Sequence, residues 1–258
     1  MKVQGIAIMT FTLVFILTGN ILAHFGMVIP SDNMIMQDDN REIQLNLSFS
    51  HPFEAIGMEL ARPERFFVVK DGNKQELGTK LIPLNIMGQP SWTMRYPLKR
   101  PGAHAFIMEP QAYWEPAEDC YIIHYTKTIV AAFGQDKGWD EEVGVKTEIV
   151  PLSRPFGLYA GNLFQGIVKL NGKPVPHAEV EIEFYNQKKT ALAPTDYMIT
   201  QTTKADQNGI FSYCAPSSGW WGFAALNTSE KKMMHKGEEK DIELGAVLWV
   251  RFEDWQEK

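Results

Sequence analysis

The sequence has no concentration of basic residues, and this shortage excludes one class of protein. It contains 25 Lys and Arg against 31 Asp and Glu, for a formal net charge of −6. Nucleic-acid binding needs clustered Lys and Arg that contact phosphates. We therefore expect no nucleic-acid partner, and the mildly acidic balance favours cations instead.

Familiar catalytic motifs are also absent. The chain has no Gly-x-Ser-x-Gly, no His-Glu-x-x-His and no glycine-rich phosphate loop. Acidic residues are numerous, but no pair stands out as a general acid and base. We therefore predict a binding protein rather than an enzyme.

Only two cysteines are present, Cys120 and Cys214. In an exported protein such a pair can form a disulfide, which here would join distant segments. Two buried thiols and a metal-bound thiolate are the alternatives, and the sequence leaves all three open.

The one long apolar run lies at the N-terminus, from Ile6 to Leu22. It is shorter than the about 20 residues of a spanning helix, and it ends in Ile-Leu-Ala before His24. This pattern predicts a secretory signal peptide cleaved after Ala23 and a periplasmic or extracellular protein. An uncleaved membrane anchor is the alternative. No later stretch is expected to span a membrane.

Cleavage after Ala23 would make His24 the first residue of the mature chain. Its free amine and its ring nitrogen could then close a chelate ring on one metal ion. An internal histidine lacks that ligand pair, so the junction points to divalent metal binding.

Short strands separated by turn signals dominate the rest of the chain. Residues 44–51 (QLNLSFSH) alternate polar and apolar, as a half-buried strand does. Asn171-Gly172 and residues 206–209 (DQNG) mark hairpin turns. No long stretch has helical periodicity, so we predict a mostly β protein.

The chain divides near the proline-containing segment 151–155. After it, a strand, an Asn-Gly hairpin, a Pro-Val-Pro strand and a second hairpin resemble prealbumin-like, carboxypeptidase-regulatory modules. We predict a signal peptide over 1–23, an N-terminal β domain over 24–155 with the metal site, and a C-terminal prealbumin-like β-sandwich over 160–258. Both domains are expected to be β-sandwich-like.

Two further histidines join His24 as candidate metal ligands. His51 is in phase with the apolar residues of its strand, and His124 shares the parity of Ile122, so both are expected to point inward. Imidazoles suit Ni, Co, Cu and Zn. His104 and Met58 are weaker candidates. The alternative is that each is an ordinary hydrogen-bonded core residue.

Four segments carry a resemblance to a known family: residues 23–31 (AHFGMVIPS), 48–54 (SFSHPFE), 113–127 (YWEPAEDCYIIHYTK) and 219–227 (GWWGFAALN). Together they resemble the bacterial nickel-uptake-associated proteins, the extracytoplasmic companions of energy-coupling-factor nickel and cobalt transporters. The resemblance spans nearly all of the mature chain.

This resemblance implies a periplasmic or cell-surface β protein that binds Ni(II) or Co(II) as cargo and passes it to a membrane transporter. Some relatives end in a membrane helix, whereas this sequence ends at residues 252–258 without one. A soluble metal carrier is therefore the expectation.

Two other functions are compatible with the sequence. An N-terminal His chelate is also how copper-dependent oxidative enzymes hold their metal, and copper binds most nitrogen sites more tightly than nickel. Alternatively, the aromatic residues, among them Trp114 and Trp220, could serve a metal-free carbohydrate-binding or surface-interaction module.

Overall fold

The computed structural model describes residues 23–256, and these residues are nearly all β. The described helical segments are two three-residue 3-10 turns, Gly78–Lys80 and Asp196–Met198. The prediction of a mostly β protein is therefore confirmed. The predicted signal peptide lies, except for Ala23, outside the described residues.

None of the helices within residues 23–256 is long and apolar enough to cross a membrane.

Eleven strands build the N-terminal half of the described chain. They are β1 (Phe25–Pro30), β2 (Met34–Ile35), β3 (Glu42–His51), β4 (Ile56–Met58), β5 (Arg65–Lys70), β6 (Asn73–Glu76), β7 (Ile82–Ile86), β8 (Gln89–Pro97), β9 (Gly102–Glu109), β10 (Tyr113–Glu115) and β11 (Cys120–Ala132). One sheet has the order β1-β3-β8-β7, and β11, β9, β5 and β6 adjoin one another in the other.

The alternating pattern of β3 explains how these two sheets face each other. Its inward residues, from Ile43 to Phe49, are buried in one apolar cluster with residues of the opposite sheet such as Phe66, Phe106 and Val130. Burial of alternate side chains from two facing sheets is the arrangement of a β-sandwich.

Eleven further strands form the C-terminal half. They are β12 (Thr147–Pro151), β13 (Leu158–Tyr159), β14 (Leu163–Leu170), β15 (Lys173–Pro174), β16 (Glu179–Phe184), β17 (Gln201–Lys204), β18 (Ile210–Cys214), β19 (Gly219–Thr228), β20 (Met233–His235), β21 (Glu238–Lys240) and β22 (Ile242–Glu253). β12, β14, β15 and β18 form one sheet, which packs over β17-β16-β19-β22 around Phe164, Phe211 and Phe223.

The two halves share one sheet. β22 pairs in parallel with β11, so a continuous order β17-β16-β19-β22-β11-β9-β5-β6 runs through both. This pairing sets His124 beside Gly245. The apolar core of the C-terminal half includes Ile149, which lies before the predicted domain boundary. The boundary between residues 155 and 160 stays a prediction.

A buried ion pair fastens the shared sheet to the small C-terminal sheet. Lys127 of β11 donates from Nζ to Glu148 Oε2 of β12 at 2.7 Å, and both side chains are at least 95% buried. Burial lowers the pKa of Lys127, and the Glu148 carboxylate opposes that shift. Glu148 also accepts the backbone N–H groups of Val143 and Gly144.

We expect Lys127→Met to lower the free energy of unfolding by about 3–5 kcal/mol, because it leaves Glu148 as an uncompensated buried charge. Urea denaturation of both proteins measures the loss. The control is Arg95→Met, which removes the exposed ion pair with Glu42 and should change stability by less than about 1 kcal/mol. Equal effects of the two substitutions would contradict this account.

Candidate metal centre

Three histidines that are distant in sequence meet at one end of the N-terminal sandwich. His24 immediately precedes β1, His51 ends β3, and the antiparallel pairing of these strands brings the two rings to 4.7 Å between centroids. His124 reaches the same place from β11. The Phe49 ring lies 5.8 Å from both the His24 and His124 rings.

All three imidazoles are buried. The exposed fractions are 9% for His24, 9% for His51 and 1% for His124. The inward orientation predicted for His51 and His124 from strand parity is therefore confirmed. Phe49 belongs to the apolar cluster of the N-terminal sandwich, so the histidine cluster continues that core.

Each ring donates one N–H to an oxygen acceptor. His24 Nε2 donates to Glu115 Oε2 at 2.8 Å, His51 Nδ1 to the Ala23 carbonyl at 2.9 Å, and His124 Nε2 to Glu243 Oε1 at 3.1 Å. In the neutral imidazole the second nitrogen then carries a lone pair. These nitrogens are His24 Nδ1, His51 Nε2 and His124 Nδ1.

The His124 Nδ1 atom is the most unusual of the three. It is buried and has no hydrogen-bond partner among the described residues. Buried polar atoms are nearly always paired, and an exception requires an explanation. An acceptor nitrogen without a donor can pair with a water molecule or with a cation.

His24 is neutral at ordinary pH. Burial, together with the neighbouring His51 and His124, lowers its pKa to about 4, although Glu115 opposes the shift. A neutral imidazole is the form that ligates metals.

Carboxylates surround the cluster, and sequence reasoning did not assign them to it. Glu118 Oε1 lies 3.7 Å from His24 Nδ1. Burial, Glu243 and Glu115 raise the pKa of Glu118. Burial and then Glu243 raise the pKa of Glu181 to about 7. An added cation would relieve this accumulation of like charge. Glu243 is the only charged residue in the otherwise apolar segment 242–250. That exception in the pattern is the sequence feature that could have identified it.

Two glycines allow β1 and β22 to approach His124 closely. A Cβ at Gly245 would overlap the His124 ring, and a Cβ at Gly26 would overlap Thr126 Oγ1 and crowd the His124 backbone. Neither glycine has an unusual φ angle, so both are required for space and not for conformation.

The two weaker sequence candidates occupy different places. His104 is buried on β9, where its Nδ1 donates to the Gly102 carbonyl at 3.1 Å, and burial lowers its pKa to about 4. Its ring lies near Tyr96. Met58 pairs with Phe49 in the sheet, and its side chain packs against the N-terminal core. Its role as an outside ligand stays a prediction.

The cysteines are not bridged. Both are free thiols, with Cys120 half-buried and Cys214 exposed. Burial and the carboxylates of Glu118 and Glu243 raise the pKa of Cys120 to about 12. At neutral pH this thiol is protonated, which disfavours it as a metal ligand because the thiolate is the ligating form.

The donor set is rich, but its present arrangement is not a closed coordination shell. Within residues 23–256, no group of three or more His, Cys, Asp or Glu side chains is positioned to hold an ion. Beside the cluster lies a cavity of about 160 Å³, lined by Gly26, Phe49, Trp114 and His124 among others. The wall of this cavity is mostly apolar, and His124 forms part of it.

A second group of buried acids lies where strand β16 meets the loop that follows His51. Glu183 is fully buried and accepts hydrogen bonds from the Phe53 backbone and the Thr200 hydroxyl. The Glu54 carboxylate oxygens are buried and have no hydrogen-bond partner within residues 23–256. Burial raises the pKa of Glu183 to about 8, with Glu54 and Glu181 adding to the shift.

This shift predicts a pH dependence of stability. Glu183 ionises near pH 4.5 when unfolded and near 8 when folded, so stability falls as pH rises between these values. Glu183→Gln has no carboxyl group to ionise and therefore avoids that loss. Between pH 4.5 and pH 8, we expect the free energy of unfolding of the variant to rise by about 3 kcal/mol relative to that of the parent. Melting curves at several pH values test this. His24 and His104 are present in both proteins and contribute equally to both profiles of stability against pH. Parallel profiles would therefore contradict the role given to Glu183.

Comparison with solved structures finds β domains of low similarity. The D0-D1 domain of intimin is 12% identical, covers 88% of this chain and 99% of its own, with a TM-score of 0.27. Fibronectin(III)-like modules of Clostridium thermocellum CbhA are 8% identical, and the match covers 90% of this chain and 100% of theirs with a TM-score of 0.21. A putative carbohydrate-binding protein from Bacteroides uniformis is 9% identical, and the match covers 87% of this chain and 98% of its own with a TM-score of 0.24. At these TM-scores the likeness carries no functional inference.

Comparison with curated proteins finds no match. A family model described as a domain of unknown function, DUF4198, matches residues 21–229. The resemblance noted from the sequence is thus supported at the level of a family, and nothing in the comparisons connects that family with nickel transport. The chain belongs to the DUF4198 family of domains of unknown function.

Proposed function

We propose that this protein is exported, cleaved after Ala23, and binds a divalent transition-metal ion through His24, His51 and His124. Ni(II) or Co(II) is the proposed cargo, to be passed to a membrane transporter. The role is one of binding and not of catalysis. The observation that carries the proposal is that three buried imidazoles converge and each keeps one lone-pair nitrogen.

The oxygen acceptors support this assignment. A metal-ligating histidine almost always donates its other N–H to a carboxylate or a carbonyl, which fixes the tautomer and orients the ring. Glu115 and Glu243 occupy these positions for His24 and His124. The tautomer that Glu115 imposes on His24 leaves Nδ1 unprotonated, and Nδ1 is the ring nitrogen nearest the backbone amine.

Cleavage would complete the donor set. It releases the amine of His24, and it removes the Ala23 carbonyl that now holds His51 Nδ1. The His51 ring is then free to turn toward the amine. Within residues 23–256 the side chains alone do not form a closed donor group, and in this proposal the freed amine supplies a further donor.

The cavity beside His124 favours one second candidate. A copper-dependent oxidative enzyme needs a place for an organic substrate next to its metal, and the apolar cavity lies against Phe49 and His124. Reductant-dependent oxidation by the copper-loaded protein would favour this candidate over the carrier.

The proposal is tested on protein exported with its own signal. We expect an intact mass that begins at His24 and uptake of one Ni(II) per chain, measured by native mass spectrometry and titration calorimetry. His51→Ala and His124→Ala should each abolish tight binding. Cu(II) should bind more tightly than Ni(II), following the usual affinity order for divalent ions.

Two matched controls separate the parts of this site. A mature chain that retains Ala23 displaces the free amine and should bind far more weakly, while His104→Gln should bind like the parent. Unchanged affinity in both His51→Ala and His124→Ala would refute the site. Full affinity in the chain that retains Ala23 would refute the amine as a ligand but would leave the three imidazole ligands in place.

A positioning test changes no ligand. Gly245→Ala places a methyl group against the His124 ring, and Glu115→Gln weakens the acceptor of His24. We expect each to reduce metal affinity by about 10–100-fold, as is typical of residues that orient ligands. Gly78→Ala, where an added Cβ meets only ordinary contacts, is the control. Parent-like affinity in folded Gly245→Ala would argue against His124 as a ligand.

A further inference from the structure

A second concave site lies apart from the histidine cluster. A cleft of about 520 Å³ opens between the end of β1, the loop after β16, and strands β19 and β22. Its size is within the roughly 300–1,000 Å³ of small-molecule sites. None of His24, His51 and His124 lines it, so it can be occupied independently of the proposed metal.

One wall of this cleft is a row of three side chains across neighbouring strands. Trp220 of β19 pairs directly with Arg251 of β22, and Tyr185, just beyond β16, donates its backbone N–H to the Trp220 carbonyl at 2.8 Å. Directly paired residues present their side chains on the same face of a sheet. Trp220 and Tyr185 pack against the buried cluster that includes Phe25 and Trp249, and both stay partly exposed.

The charge of the cleft is opposite to that of the chain. Arg251 and Lys188 line it, and none of its described lining residues is acidic, although the chain has a net charge of −6. Arg251 forms an ion pair with Glu253 through Nε at 3.0 Å. Both Nη nitrogens are without an ion-pair partner in the described part of the chain, and their planar fork suits a carboxylate.

The opposite wall is held rigidly and offers polar groups. Asn186 Oδ1 accepts the N–H groups of Thr190 and Ala191, and its backbone N–H donates to the Pro52 carbonyl. These bonds fix the loop that closes the cleft. Asn46 Oδ1 is already occupied by Gln44 and Thr93, which orients its Nδ2 group as a donor.

We propose that this cleft binds an acidic saccharide. The apolar face of a pyranose ring stacks on Trp220 and Tyr185, its carboxylate pairs with Arg251, and Asn46 donates to a hydroxyl. Aromatic platforms with a few placed polar groups and one cation provide both the area and the orientation that such a ligand needs. Binding of this kind would hold the protein on an acidic polysaccharide while its metal site stays accessible.

The probe is α-1,4-linked digalacturonate, with the neutral α-1,4-linked galactose disaccharide as its matched control. Calorimetry should show binding of the acidic sugar that is at least tenfold tighter than binding of the neutral one and weakens as salt is added. Arg251→Gln should lose at least tenfold in affinity for the acid and little for the neutral sugar. Trp220→Ala should abolish binding of both.

The control variant is Trp255→Ala, which removes another exposed aromatic, stacked on Tyr159, and should bind like the parent. Because Trp220 is partly buried, Lys188→Ser at an exposed position provides a second, structurally mild test and should weaken acid binding several-fold. Absence of acid binding to the parent, or unchanged affinity in Arg251→Gln, overturns the proposal. His124→Ala should retain sugar affinity, so failure of the metal site leaves this result unaffected.

Discussion

The parallel pairing of β11 with β22 is the constraint on which the rest of the structure depends. It joins the two halves into one sheet over eight residue pairs, from Tyr121 with Ile242 to Thr128 with Trp249. The same register sets His124 beside Gly245 and brings Glu243 to its Nε2. A slip of one residue would exchange the faces of the strand, and it would replace the glycine under the imidazole by a residue with a side chain.

Burial and hydrogen bonding together determine what the three histidines can do. Burial keeps His24 neutral, and the acceptor on each ring decides which nitrogen keeps its lone pair. At His124 this leaves a buried Nδ1 that no donor among the described residues reaches. A buried acceptor left unpaired costs folding free energy, and the proposed cation would pair with it.

Local patterns predicted what depends on local geometry. Strand alternation in 44–51 placed His51 on the buried side, and the hairpin signals at Asn171-Gly172 and 206–209 do lie at turns. The parity argument worked for His124 as well. Glu243 was missed because its partnership with His124 comes from a parallel pairing between strands that are 119 residues apart. His104 shows the converse: it is as buried as the others, yet its strand β9 directs it to the Gly102 carbonyl.

Strand β22 explains how one small protein can present sites of opposite charge. Near its start, Glu243 belongs to the acidic surroundings of the imidazoles, whereas Arg251 near its end lines a cleft without acidic residues. Six residues of strand separate Gly245 from Arg251, which is about 20 Å at 3.3 Å per residue. This distance weakens the Coulomb interaction between the two ends, so a cation at the histidines and an anion in the cleft, as proposed, need neither assist nor exclude one another.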